Sequence, residues 1–412
     1  MTSTITRENT ALENTAFENK APVKTQPREQ GVPRRSPERD ELLASVERLA
    51  PFLRENALKA EEGRTLPRPV VEAMKDAGLF RIAAPQVVGG YEVDPLTHLE
   101  VIEAVARIDS SAAWTLMIGA QGAAMIATFA SDAVVDRMFG GPTWPIAGSQ
   151  MNPAAGRFRR VDGGYVVSGR WSFASGIRHA DWSMFTATAS EPSDDSPKVI
   201  AGVLPVSEVT VHDNWFVSGL KGTGSSDYSL DEQFVPDDMA WPMPPAILRG
   251  GPRYRIKIPQ ATLSAFALGI ARRSIDEIAL QSRAKLRPGS TTAVAARPYF
   301  HHQLGEFEMR LAAARAGLFQ LVEQLWEAAR SGGAIPPDLD MRLTATPAYV
   351  HSVAADITSA AFRFGGSGAA RLDNVLQRNF RDMAVAAQHI QASEQAYEAL
   401  GRYVLDAAVD PA

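Results

Sequence analysis

Seven histidines and no cysteine make up the chain's stock of neutral-pH proton carriers and thiols. Thiol nucleophiles, thiolate zinc sites, iron–sulfur clusters and disulfides are therefore excluded, and proton exchange near neutral pH falls to imidazole. His302 and Glu306 stand one helical turn apart in HHQLGEF and could supply two metal ligands. No HExxH phrase or further carboxylate cluster completes such a set, so solvated or capping histidines at a helix start explain it better and no metal is expected. His389 lies in QRNFRDMAVAAQHI (377–390). There Arg378 and Asp382 are four apart and positioned to pair, and Asp382, Val385 and His389 recur on one face of an expected helix. Spacing alone leaves His389 open between a hydrogen-bonded core residue and a group offered to a ligand.

A third stretch, GLKGTGSSDYSL (219–230), contains a GxG. The phosphate-binding turn of nucleotide folds needs a strand before it, a helix after it and a third glycine; here Asp227 takes that place and a strand pattern follows. A nucleotide loop is not expected.

The elements that must position these groups fall into a simple order. Residues 1–36 are polar with scattered apolar positions and read as a disordered tail. Between 37 and 140 apolar residues recur at helical spacing, as in Leu42, Val46, Leu49 and Leu53, and then Val101, Val105 and Ile108. After GGPTWP the texture turns β-branched and alternating, as in YVVSGRWSF, KVIAGVLPV and YSLDEQFVP, which predicts a β domain over 141–240. From 241 to 412 long helical patterns return, and the four stretches starting near Ile258, His301, Thr346 and Val375 predict an antiparallel bundle. The expected class is mostly α with a central β domain (α+β): an N-terminal helical domain, a small β-barrel-like domain and a C-terminal four-helix bundle.

With 47 acids against 42 bases, a net charge of −5, bulk electrostatics draws the chain to neither nucleic acid nor an anionic membrane. No apolar run reaches the roughly 18 to 20 residues of a membrane span, and the N-terminus lacks a secretory h-region, so a cytoplasmic location is expected.

The order of parts, over roughly residues 37–408, resembles the acyl-CoA dehydrogenase fold. SGRWSFASGIRHADW (168–182) resembles that family's flavin-facing strand pair, and GLKGTGSSDYSLDEQFVPDDM (219–239) its turn and following strand. RPYFHHQLGEF (297–307) resembles the Arg-x-x-Phe start of a bundle helix, and FRFGGSGAA (362–370) with QRNFRDMAVAAQHI the glycine turn and following helix near the C-terminus. Dehydrogenases of the family carry a catalytic glutamate shortly after an Arg-Asp pair. Here Arg381-Asp382 is followed by His389-Ile390-Gln391-Ala392, with no carboxylate to abstract an α-proton.

The R-x-x-R-D phrase followed by histidine is similar instead to the branch of two-component flavin-dependent monooxygenases that share the fold. That resemblance implies reduced FMN or FAD, with FMN slightly preferred, supplied by a separate NAD(P)H-dependent flavin reductase. It implies O2 as co-substrate, a flavin C4a-hydroperoxide, and a small aromatic or heteroaromatic substrate. It also implies site residues by position. His389 would lie over the flavin near the substrate, Ser175 would face flavin N5, Ser149 would be an active-site serine and Phe173 would flank the ring. Arg297, Gly365, Gly366 and Ser367 would hold the cofactor phosphate, some of them for a neighbouring subunit of a homotetramer, and Phe300 would also contact the cofactor. Trp114 and Gln121, in DSSAAWTLMIGAQGAAM (109–125), would line the substrate side. Gln121 stands where several aromatic hydroxylases of the branch carry a second histidine, and it cannot exchange a proton near neutral pH. A dehydrogenase or oxidase with a relocated base, or a non-catalytic relative, are the alternatives. The loops 241–258 and 285–298 read as lids or as plain surface connections.

Overall fold

The computed structural model describes residues 34–191 and 197–409. Of the polar segment expected at 1–36, only Arg34, Arg35 and Ser36 are among them, and they are tied down. The Ser36 amide donates to Asp94 at 2.7 Å, Arg35 meets Glu100 at 2.6 Å, and Trp326 Nε1 donates to the Arg34 carbonyl at 3.2 Å. The rest of that segment lies outside the described residues.

Five helices come first: α1 (Arg39–Gly63), α2 (Arg68–Asp76), α3 (Pro95–Ala106), α4 (Ser110–Phe129) and α5 (Asp132–Phe139). Three start on side-chain caps that satisfy orphan amides. Asp94 accepts from the Thr97 amide at 3.0 Å, Asp109 from Ala112 at 2.7 Å and Ser131 from Val134 at 3.3 Å. Eight strands follow: β1 (Ala147–Ser149), β2 (Gly156–Val161), β3 (Gly164–Trp171), β4 (Trp182–Ala189), β5 (Val199–Pro205), β6 (Thr210–Val211), β7 (Tyr228–Pro236) and β8 (Ala240–Pro242). They form one sheet in the order β6-β7-β3-β2-β4-β5-β8, with β1 parallel beside β4. Five helices close the chain: α6 (Ile258–Ser282), α7 (Pro298–Arg330), α8 (Pro337–Ala369, broken at Gly366 with φ 56°), α9 (Val375–Ala386) and α10 (Gln395–Val409).

Helix α4 is apolar nearly all round, as a helix enclosed on every side must be. It has the length and apolarity of a membrane span, but most of it is buried inside the protein. Its first half, with Trp114 and Leu116, belongs to a core shared by the N-terminal helices and the bundle. Its second half, with Ala123 and Ile126, belongs to the core of the sheet, around Trp171, Phe185 and Tyr228. Gly122 permits this double role, because a Cβ there would stand 2.9 Å from the Ala147 carbonyl and 3.2 Å from Ser149 Oγ. The α4 backbone therefore lies directly on β1.

One expected helix is interrupted. The pattern running through His389 predicts a single helix, whereas α9 stops at Ala386 and a 3-10 turn, Ile390–Ala392, precedes α10. His389 is extended (φ −63°, ψ 138°), and its own Nδ1 accepts from the Gln391 amide at 3.3 Å. The side chain offers the backbone an alternative to the helical ladder, so His389 leaves the face that carries Asp382.

Candidate active site

Three segments meet at Asp382, which is almost fully buried. It accepts from the Leu220 amide at 2.5 Å and from the Ser110 hydroxyl, joining α9, the start of α4 and the 219–226 loop. Burial pushes its carboxyl up to about 6 against the pull of these two hydrogen bonds. The expected Arg378–Asp382 pair does not form. Arg381 holds buried Glu61 at 2.6 Å and donates to the Ser218 carbonyl at 2.6 Å, while Arg378 lies 4.0 Å from the same Glu61. Gly219 makes this crossing possible, since a Cβ there would fall 2.1 Å from the Arg381 carbonyl oxygen.

The loop so anchored delivers a line of hydroxyls. Trp114 Nε1 donates to Ser175 Oγ at 3.0 Å, Ser175 Oγ lies 2.7 Å from Ser225 Oγ, and Ser225 Oγ lies 2.7 Å from Thr223 Oγ1. Thr223 Oγ1 gives its proton to the Leu220 carbonyl at 2.8 Å. Each hydroxyl has one proton, so the direction is determined along the line. Thr223 can only accept from Ser225, Ser225 from Ser175, and Ser175 is left with one free lone pair and no free proton. Phe173, two residues before Ser175, holds a left-handed φ of 66° and is 68% exposed, with its ring edge on Trp215 at 6.1 Å. A non-glycine residue in this conformation is strained, and the surrounding loop holds it there.

His389 meets the other side of Trp114, with ring centroids 5.8 Å apart at 72°, and Phe266 packs against the same indole at 5.0 Å. Burial lowers the His389 pKa below its ordinary value, so the ring is neutral at pH 7. Because Nδ1 accepts from Gln391, the proton of the neutral ring sits on Nε2. His351, on α8, is also buried, and burial drives its pKa down to about 4 against the pull of the Pro347 carbonyl. Its Nδ1 donates to the Pro347 carbonyl at 2.9 Å.

Ser149 ends β1 beside Gly122 of α4, and Gln121, the preceding residue of α4, donates to Thr262 Oγ1 at 2.5 Å. The residues expected to serve a cofactor phosphate form a separate group. Arg297, just before α7, donates to Ser290 Oγ at 2.9 Å, and buried Phe300 meets Phe364 edge-on at 5.3 Å. Lys285 Nζ caps the Gly365 carbonyl, next to the Gly366 break and exposed Ser367. Among the described residues, no hydrogen bond, ion pair or ring contact links them to Trp114, Ser175 or His389. Sequence reasoning missed Thr223 and Ser225. Their signal was the hydroxyl-rich run TGSS (223–226), which was read as a turn without a role for its hydroxyls.

With this geometry in place, the comparisons are consistent with one another. The profile of the acyl-CoA dehydrogenase N-terminal domain matches residues 36–140, and that of the C-terminal domain matches 261–394. Indole-3-acetate monooxygenase of Pseudomonas putida is 27% identical over 82% of this chain and 87% of its own. The oxygenase subunit HsaA of a flavin-dependent monooxygenase from Rhodococcus jostii is 28% identical over 86% of this chain and 96% of its own. The structure of XiaF from Streptomyces sp., in complex with FADH2 and glycerol, shares the fold with a TM-score of 0.82 at 23% identity, over 88% of this chain and 94% of that one. Helices, sheet and bundle in this order, with both terminal domains matched, make the chain a member of the acyl-CoA dehydrogenase family.

Proposed function

We propose that this protein is the oxygenase component of a two-component flavin-dependent monooxygenase. It uses reduced flavin from a separate NAD(P)H-dependent reductase, together with O2, to oxygenate a small aromatic or heteroaromatic molecule. The relatives named for indole-3-acetate and for HsaA support this class of reaction. The FADH2-dependent resorcinol hydroxylase of a Rhizobium, 31% identical over half of this chain, supports it too.

The observation that carries the reading is the state of Ser175. The hydroxyl line leaves it an acceptor, with one lone pair on the Trp114 N–H and one free. A reduced isoalloxazine ring carries a proton on N5, whereas an oxidised ring offers only a lone pair there. The free acceptor therefore suits reduced flavin, and the exposed Phe173 ring supplies a flat apolar neighbour beside it. Bound reduced flavin supplies the electrons and the oxygen-transfer chemistry. Ser175 holds the N5 proton in place. His389 holds a proton at Nε2 and offers it as a hydrogen bond where negative charge develops on oxygen; a neutral donor of this kind needs no reorganisation during reaction. Trp114 and Phe266 keep water from that side. Ser149 and Gln121 face the substrate from β1 and α4.

The dehydrogenase alternative lacks its base: His389 to Ala392 hold no carboxylate, and Asp382 is buried with its oxygens already engaged. Arg297, Gly365, Gly366 and Ser367 serve the flavin phosphate, some of them for a neighbouring copy in a homotetramer, with Phe300 packed beside them against Phe364. FMN is the preferred flavin, FAD the second, and the cytoplasm the place of work.

The test supplies reduced FMN or FAD through a reductase under 18O2, with indoles and phenols as substrates. One 18O atom per product molecule is expected. Flavin reoxidation without product across the panel, together with dye reduction driven by an acyl thioester, would return the chain to the dehydrogenase class.

A further inference from the structure

A cavity of about 430 Å3 lies between α1, α4, α6 and α9, and neither Trp114 nor Ser175 lines it. Four guanidinium groups, Arg54, Arg273, Arg371 and Arg378, line it, and α4 and α9 both begin at it, with Ser110 and Val375 in its wall. Helix N-termini add positive potential to the same space. We infer that this cavity is a second ligand site, distinct from the flavin site, and that it takes a phosphate-type oxyanion.

Against these four arginines the wall carries three carboxylates, Asp109, Glu277 and Asp373, and they leave guanidinium N–H groups unanswered. Arg378 is nine-tenths buried, and its Nη1 has no hydrogen-bond partner. Its nearest carboxylate, Glu61, is 4.0 Å away and already holds Arg381 at 2.6 Å. Arg273 reaches Glu277 at 3.2 Å, but its buried Nε has no partner. Neither Arg54 nor Arg371 forms an ion pair among the described residues. Asp109, also in the wall, is engaged as the α4 cap, and burial holds its carboxyl above the usual range. Burial lowers the Arg273 pKa while Glu277 raises it; Arg54 and Arg378 then lower it again, so the cations repel one another.

Buried guanidinium N–H groups without acceptors are costly, and like charges held together cost more. An oxyanion removes both penalties by accepting from Arg378 and Arg273 within the low-dielectric wall, with Arg371 and Arg54 closing over it from solvent. The volume exceeds that of a bare phosphate, so a phosphate monoester also fits. Ser110 lines the cavity and donates to Asp382, which holds the Leu220 end of the hydroxyl line. An anion here is thus two side chains, Ser110 and Asp382, away from the loop that sets Ser175.

The test is calorimetric titration of FMN-saturated protein, in which the flavin phosphate position is filled. Inorganic phosphate is used in one arm and glycerol 3-phosphate in the other. Saturable 1:1 binding per chain is expected, weakened at least tenfold in R378M and in the surface double variant R54A/R371A. The double variant should retain its rate of product formation without added phosphate. Tighter binding of the ester would assign an organic phosphate, and tighter binding of the inorganic ion a free one. Absence of saturable binding, loss of binding on FMN loading, or unchanged affinity in R54A/R371A would overturn the inference. Oxygenation could still succeed in each of those cases, so the two readings fail separately.

Discussion

The indole N–H of Trp114 and the hydroxyl of Ser175 are bonded at 3.0 Å across the boundary between helix α4 and the sheet. The bond does more than hold two elements together. By filling one lone pair of Ser175 while Ser225 takes its proton, it leaves a single acceptor position of known direction.

Trp114→Phe removes this donor and keeps most of the ring packing against Phe266 and His389. The freed Ser175 lone pair then competes for water or for its neighbours, and its orientation relaxes. We expect flavin binding to change little and the fraction of oxygen delivered to product to fall about tenfold, with hydrogen peroxide making up the difference. Product and peroxide yields measured together check this.

Ser225→Ala breaks the line one step further in. Ser175 then has a proton to spare and can turn it towards the flavin, where the reduced N5 also carries one. Weaker binding of reduced flavin, by about 1 kcal/mol or more, and equal or tighter binding of oxidised flavin are the expected results. Equal losses for both redox states would remove the argument from hydroxyl direction.

The order of helices, strands and bundle could be read from the periodicity of the sequence, whereas His389, Ser175 and Trp114, which the structure brings together, were singled out only through the family resemblance. The break at His389 was not. Ala, Val and Gln around it favour helix, and only the capping bond from the Gln391 amide to Nδ1 shows why the ladder stops. Ser225 and Thr223 escaped notice because their role comes from contacts with Ser175, 50 residues away in sequence for the closer pair. The Arg378–Asp382 pair failed for a related reason: the burial of Glu61 and the Leu220 amide offered each partner a different contact. Local spacing says which side chains can meet, and tertiary contacts decide which of them do.

His389→Ala should retain flavin and lose about a hundredfold in product formation, the usual cost of deleting a preorganised donor to a developing oxyanion. His389→Gln restores a donor without a titrating group and should recover part of the loss. Since burial lowers the His389 pKa below its ordinary value of 6.5, the neutral ring dominates from pH 7 upwards. Product formation by the unaltered protein should be flat across pH 7 to 8 and decline only on the acid side. A rise with an inflection near pH 7.5 would contradict the neutral-donor assignment.

Gly219→Ala places a methyl group 2.1 Å from the Arg381 carbonyl oxygen, a backbone atom that cannot swing aside. The 219–226 loop must then lift from α9 and loosen the Leu220–Asp382 bond. A stability loss of about 1 to 3 kcal/mol is expected from overpacking, read by chemical denaturation, with a matching loss of coupling to product. An unaltered coupling ratio would separate the loop anchor from the hydroxyl line.

Asp382 makes stability depend on pH in a direction opposite to that of a surface carboxylate. Its carboxyl titrates at about 6 in the folded chain and near 3.8 when exposed, so between these values the folded state binds the extra proton. Stability from this group is therefore greatest below pH 3.8, declines as pH rises towards 6, and stays at its lower value above that. The difference is about 3 kcal/mol at about 1.4 kcal/mol per unit. Asp382→Asn keeps an acceptor for the Leu220 amide and carries no charge, and Ser110 can accept from its amide. Denaturation midpoints recorded from pH 4 to 7 should show the unaltered protein losing this increment and the Asn variant keeping it, so the two curves diverge as pH rises. Parallel curves would mean that Asp382 is ionised throughout, and that the hydrogen bonds from Ser110 and Leu220 outweigh its burial.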